Sequence, residues 1–238
     1  MNKNKLKRNL VLGILFFLPV AFLLFLYPST HNYNPLDIVN QNTPDIQGFS
    51  SESGDTIVLE NHITVLGFVG TQPMEQAIDA SNIKELVYDK FKGFKGFQIV
   101  FVAPNGSQEE TEKLKSKINS YEDVRFWHYV FGEPEKIQNL YNRLKSNSSL
   151  KSDFSSDDVF IIDKDLNQRG RLDDRDKREI KADKPVYPLY AYNSIDIGTI
   201  KNKMSDDMRV LFTEYRDKRR GKFDSAHRRA NDLSQKDE

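Results

Sequence analysis

An α/β sandwich behind a single N-terminal membrane helix is the fold class this sequence predicts. Three observations predict it. Leu10–Tyr27, LVLGILFFLPVAFLLFLY, is an uncharged apolar run preceded by Lys3, Lys5, Lys7 and Arg8. Apolar runs at Ile63–Val69, Phe97–Ala103, Val124–Phe131 and Val159–Asp163 read as strands buried on both faces, as in a sheet covered by helices. Stretches with helical apolar spacing lie between them, and such alternation implies crossover connections.

The 35 acidic and 35 basic residues among 238 balance, so no global field selects nucleic acid as a partner. No cysteine is present, which excludes disulfides, thiolate metal sites and thiol catalysis. The run Leu10–Tyr27 would extend about 27 Å as a helix, close to the hydrocarbon thickness of a bilayer. Membrane helices tolerate a proline such as Pro19. The basic residues upstream predict an N-terminus in the cytoplasm and a body beyond the inner membrane, in the periplasm. A cleaved export signal is the rival reading. No small-x-small site follows the run, only Tyr27-Pro28-Ser29-Thr30. The expected division is a basic N-terminus over 1–8, an anchor over 9–28, a linker over 29–45, a folded domain over 46–219 and a polar basic tail over 220–238.

Along the chain, Pro28–Gln47 is polar and expected to be extended and poorly packed. Gly48–Leu59 reads as a hairpin turning at Glu52-Ser53-Gly54-Asp55. His62–Val69 is a buried strand that runs into a Gly70-Thr71 turn. A helix opens at Pro73, where the missing N–H costs nothing. That helix, Pro73–Phe91, carries Ile78, Ile83, Leu86 and Val87 at helical spacing. Ser107 with Glu110 predicts a capping box for a helix that buries Leu114 and Ile118 and ends near Ser120. Pro134 opens a helix with the stripe Ile137, Leu140, Tyr141 and Leu144. Lys145–Ser156 reads as a polar loop, and Gln168–Leu172 as the hairpin partner of the last buried strand. Asp173–Lys184, DDRDKREIKADK, reads as solvated surface. Pro185–Tyr192 holds two prolines and is at most an edge segment. Ser194–Arg219 is a last helix, with Ile200, Met204, Met208, Leu211, Phe212 and Tyr215 in register.

Three stretches make the sequence resemble the Sco/SenC family. Val65–Gln76, VLGFVGTQPMEQ, is similar to the family's strand and Thr-x-Cys-Pro-x-x-x-Cys-like turn. Thr71 and Pro73 are present, and Gln72 and Gln76 stand at the two cysteine positions. Trp127–Leu144, WHYVFGEPEKIQNLYNRL, is similar to the family's Trp-x-x-Leu-x-Gly segment and the helix after it. Asp158–Gly170, DVFIIDKDLNQRG, is similar to the strand and turn that follow its copper-binding histidine, which falls at Ser155. The resemblance covers roughly residues 45–215. It implies a thioredoxin-like sandwich, a central mixed sheet flanked by helices. It also implies a membrane-anchored protein of copper delivery, thiol redox chemistry and respiratory oxidase assembly.

The residues themselves argue against that chemistry. A copper(I) site of this type needs two soft thiolates on one helical turn and an imidazole from a facing loop. Gln72, Gln76 and Ser155 supply none of these. The expectation is a degenerate turn formed by Thr71, Gln72, Pro73, Gln76 and Ser155, with no catalytic residue, metal or cofactor. The protein is expected to act by contact with a membrane protein, a respiratory oxidase being suggested by analogy alone. Two alternatives stand beside it. One is a copper metallochaperone using Met and His ligands; the other is a thiol-independent, redox-related enzyme on the same fold.

The remaining candidates have plainer readings. His31, His62, His128 and His227 show no i, i+4 pair of a helical metal site. Met74, Met204 and Met208 are more economically core residues than thioether ligands. Asp163, Asp165, Asn167 and Gly170 only faintly match a calcium loop, with Asp174 rather than glutamate at the twelfth position. Asp157-Asp158 and Asp173-Asp174 have no partner base or nucleophile in view. Trp127 is expected in the core. The basic tail, with Arg216, Lys218, Arg219, Arg220, Lys222, Arg228 and Arg229, reads as a solvated end, with anionic lipid or an acidic partner as the other reading.

Overall fold

A computed structural model of the chain describes residues 3–26, 33–51, 54–120, 124–221 and 223. It has two units, Met1–Tyr33 and Asn34–Glu238. In the first, helix α1 (Lys3–Leu26) carries Pro19 inside it. Its Lys7–Leu24 window has a mean hydropathy of 1.8 and is long and apolar enough to cross a membrane. His31, His227, the 52–53 part of the expected hairpin turn and the tail beyond 223 lie outside the described residues.

In the second unit the apolar runs become strands of one sheet. Its strands are β1 (Asp37–Asn40), β2 (Ser50–Ser51), β3 (Ile63–Phe68), β4 (Phe97–Pro104), β5 (Trp127–Gly132), β6 (Asp158–Ile162), β7 (Gln168–Gly170) and β8 (Tyr192–Asn193). They are ordered β1-β7-β6-β3-β4-β5-β2, with β8 on β6. β3, β4 and β5 run parallel, while β6 is antiparallel to β3 and β7 to β6. The helices are α2 (residues 73–91), α3 (Gln108–Ile118), α4 (Pro134–Asn142), α5 (Lys177–Lys181) and α6 (residues 199–219). A parallel unit with helical crossovers, then an antiparallel hairpin and a closing helix, makes the fold thioredoxin-like.

Alternation along the strands sorts the core into two layers. Val65, Ile99, Phe101, Tyr129 and Ile161 pack under α2, α3 and α6. Leu66, Phe68, Val100, Val102, Val130 and Phe160 pack under α4 with Ile137, Leu140 and Tyr141. Trp127 is buried against Phe101 and Tyr88, as expected, with ring centroids 5.0 and 5.9 Å away. Met204 and Met208 are fully buried core residues.

Both long helices contain a wide turn with i→i+5 bonding, at Lys84–Tyr88 in α2 and Thr199–Met204 in α6. Their buried residues explain it. Ile83, Val87 and Phe91 recur every fourth residue, as do Ile200, Met204 and Met208. An ideal helix turns once per about 3.6 residues, so a strict spacing of four drifts off its face. A wide turn takes up the drift. Ile78, expected on the same stripe, instead faces solvent at 69% exposure, and Ala77 and Ala80 fill the inner face.

Four further expectations are corrected. The 29–45 stretch is not poorly packed throughout: β1 pairs with β7, and Leu36, Asp37 and Val39 are buried. β2 pairs with β5 rather than folding back into a 48–59 hairpin. Ser107 makes no capping box, because its hydroxyl donates to the Pro104 carbonyl at 2.7 Å. The 173–184 charge run is not merely solvated. Asp173, Asp174 and Arg175 are buried, and Asp176 and Glu179 form the capping box of α5.

Two charge networks tie the closing helix to the sheet. Arg169 of β7 is fully buried and donates to Asp163 at 2.8 Å, to Glu214 of α6 and to the Leu36 carbonyl at 2.6 Å. Lys218 reaches Glu214 at 3.1 Å, so two cations meet two carboxylates. Asp163 also accepts from the backbone of Asp165 and Asn167, both at 2.9 Å, which makes it an ion-pair and turn residue rather than part of a calcium loop. In the second network Arg171 grips Asp207 through two bonds of 2.8 and 2.9 Å, with Asp174 at 2.8 Å and Tyr192 donating to Asp207 at 2.7 Å.

Breaking a buried pair strands the remaining charge. Glu214→Ala is therefore expected to destabilise the fold by about 3–5 kcal/mol, whereas Glu109→Ala on the exposed face of α3 should change it by less than about 0.5 kcal/mol. Urea unfolding of the full chain in detergent micelles measures both.

Candidate functional site

The six residues of β3 are all buried, and the strand delivers Val69 and Gly70 to its C-terminal end. There a loop from before β6 closes over the turn. Val69 bridges Ser155, Ser156 N–H donates to the Phe68 carbonyl at 3.0 Å, and Thr71 N–H donates to the Asp153 carbonyl at 2.9 Å. Gly70 is required at this junction. Its φ is +69°, and a Cβ there would lie 2.7 Å from the Asp153 carbonyl oxygen and 2.9 Å from Ser155 Cβ.

The five residues singled out from the sequence lie around this junction. Thr71 and Gln72 are exposed on the turn. Pro73 opens a tight first turn over Pro73–Gln76, where Glu75 N–H donates to the Gln72 carbonyl at 2.9 Å. Pro73 and Gln76 are buried. Ser155 is fully buried, and its hydroxyl donates to Asp153 at 2.9 Å. Met74 is half-buried beside them. The donor set is amide, hydroxyl and carboxylate, which does not fit copper(I). Elsewhere, His62 Nδ1 lies 2.9 Å from the Glu60 carbonyl. His128 sits on β5, and burial, then the nearby His62, lowers its pKa. Among the described residues no three His, Cys, Asp or Glu side chains are grouped to hold a metal.

The space beneath the turn is small. Gln76, Asp79, Ser156 and Ser194 line a void of about 10 Å³, room for about one water molecule. No organic substrate enters such a void. What the turn offers is its outer surface, where exposed Ile78 and Ile195 flank exposed Thr71 and Gln72. Asn82, one turn after Ile78, ties α2 to the Ser194 carbonyl at 2.9 Å.

Asp79 is the residue that sequence reading missed. It is 8% exposed, and its pKa rises to about 6, first through burial and then through the charge of Asp157. A bond with Ser194 and the charge of Lys151 oppose the rise. Lys151 in turn pairs with Asp157 at 2.5 Å. The signal was present: Asp79 stands four residues before Ile83, on the face that α2 buries.

No protein-family model matches the chain, and no curated protein matches it. Among solved structures it is similar to the thioredoxin domain of a thiol-disulfide oxidoreductase from Bacteroides vulgatus, at 12% identity over 74% of this chain and 98% of that one, TM-score 0.42. It is also similar to the soluble domain of Sco1 from Bacillus subtilis, at 14% identity over 73% of this chain and 92% of that one, TM-score 0.41. Arabidopsis thaliana ScoI with copper bound gives 12% identity over 68% of this chain and 94% of that one, TM-score 0.40.

The raised pKa of Asp79 has a definite sign for stability. Between the usual carboxylate value and about 6 the folded protein holds a proton that the unfolded chain has released. Stability from this group therefore falls as pH rises through that window. Asp79→Asn should remove the slope and stabilise the protein at pH 7 by about 1–2 kcal/mol after discounting for solvent screening. Denaturant titrations of both proteins at pH 4, 5, 6 and 7 check it.

Proposed function

We propose that this is a non-catalytic, membrane-anchored thioredoxin-fold protein that works by protein contact on the periplasmic side of the inner membrane. One observation carries the reading. At the strand-to-helix turn where the resembled family places its thiols, this chain has Gln72 and Gln76, and its whole sequence has no cysteine. Disulfide exchange is chemically closed to it. The void of about 10 Å³ under the turn leaves the outer surface as the part able to meet another molecule.

Thr71, Gln72, Pro73, Gln76 and Ser155 are, on this reading, a degenerate active-site turn kept as a contact surface. The α1 helix is the anchor, with its lysines and Arg8 on the cytoplasmic side. A role beside a respiratory cytochrome oxidase follows from the family resemblance alone.

A photocrosslinker at Gln72, in the full chain within its native membrane, is expected to capture one membrane protein at fixed stoichiometry. The same crosslinker at Lys117, on the exposed side of α3, is expected to capture none. Equal, diffuse labelling from both positions would sink the contact reading. Equilibrium dialysis against copper(I) under reducing conditions is expected to leave the protein metal-free; one tightly bound equivalent would favour the metallochaperone instead.

A further inference from the structure

At the far edge of the sheet a strand pairing stops early. β2 meets β5 only at Ser50↔Phe131 and Ser51↔Val130. Gly54 N–H then donates back to the Ser51 carbonyl at 3.3 Å. Residues 127–129 have β4 on one side and, among the described residues, no strand on the other. A cleft of about 610 Å³ follows this stretch. Both faces of the sheet line it: Trp127 and Tyr129 belong to the layer under α2 and α3, and Ile57 packs on the opposite layer.

Two polar atoms in this lining are unmet. Trp127 is 6% exposed, and its Nε1–H has no hydrogen-bond partner. Asn119, at the end of α3, has a buried Oδ1 without one. Native proteins seldom leave such groups unsatisfied, and those that remain call for an explanation. A carboxylate would answer the indole and leave the amide oxygen unmet; an ammonium would do the reverse. A peptide group carries an acceptor and a donor together. The rim has both signs, with Lys115 and Arg125 near Glu112 and Asp55, which does not select a polyanion.

We propose that the cleft along the open half of β5 binds an extended peptide segment of a partner protein, which adds a strand there while one of its peptide groups meets Trp127 Nε1 and Asn119 Oδ1. This rests on the contact reading above and supplies a second point of contact. The site is at the N-terminal half of β5, whereas the turn follows the C-terminal end of β3. Main-chain bonds to the strand edge give affinity, and side chains alternating to either side give selectivity.

Trp127 is the chain's only tryptophan, so its indole N–H gives a single nitrogen-15 resonance. The full chain in detergent micelles is titrated with an array of end-blocked peptides of about ten residues and varied sequence. Some peptides are expected to shift that resonance and slow its exchange with solvent. Methylating alternate backbone nitrogens of such a peptide should abolish binding in one phase and spare it in the other. Asn119→Ala should weaken binding about tenfold, by loss of one hydrogen bond, with an unchanged circular dichroism spectrum. An array that never moves the indole resonance overturns the proposal. So does a bound peptide indifferent to every N-methylation, or a response to disaccharides alone. Capture of a neighbour through Gln72 with no peptide response defeats this inference and spares the earlier reading. A peptide response with no neighbour captured does the opposite.

Discussion

The guanidinium of Arg169 is the constraint on which the arrangement turns. A fully buried cation is tolerable only where carboxylates and carbonyls surround it. Here those groups come from four separate parts of the chain: Asp163 after β6, Glu214 in α6, the Leu36 carbonyl before β1, and β7 itself. No two of these can move independently without exposing a charge to the apolar interior. The sheet's antiparallel side, the first strand after the anchor and the closing helix are thereby held in one register. Arg171, two residues on, repeats the device against Asp207. Together they clamp α6 onto the layer that also covers α2.

The strands at Ile63, Phe97, Trp127 and Asp158 were legible because a strand buried on both faces has to be a nearly continuous apolar run. The helix stripes at Leu114–Ile118 and Ile137–Leu144 were legible for a similar reason. What escaped has a common cause. Asp173–Arg175 look like surface to any local count of charge, and their burial depends on Lys203, Lys184 and Arg171 arriving from elsewhere. Leu36 and Val39 are too few to announce a strand, and β1 exists because β7 offers it an edge. Ser107 had the composition of a cap, but its hydroxyl found a nearer acceptor.

At the turn the sequence showed which residues stand there and what chemistry they lack. It did not show that Gln72 faces solvent while Gln76 and Ser155 are enclosed, since that division depends on how loop 150–157 closes over Gly70. Asp79 was hidden for another reason. An acidic residue on a helix is ordinarily taken as solvated, and only the approach of Asp157 and Ser194 makes its environment unusual.

The two wide turns also bear on how this protein can change over time. A wide turn amounts to one residue accommodated inside a helix without breaking it. Losing a residue between 84 and 88, or between 199 and 204, would restore ordinary winding and rotate everything beyond it by about 100°. Aligning relatives by the heptad-like rhythm of their apolar residues would slip by one position at each of these places. Ancestry in α2 and α6 is therefore better traced through the strands between them, whose two-residue rhythm has no room for such slack.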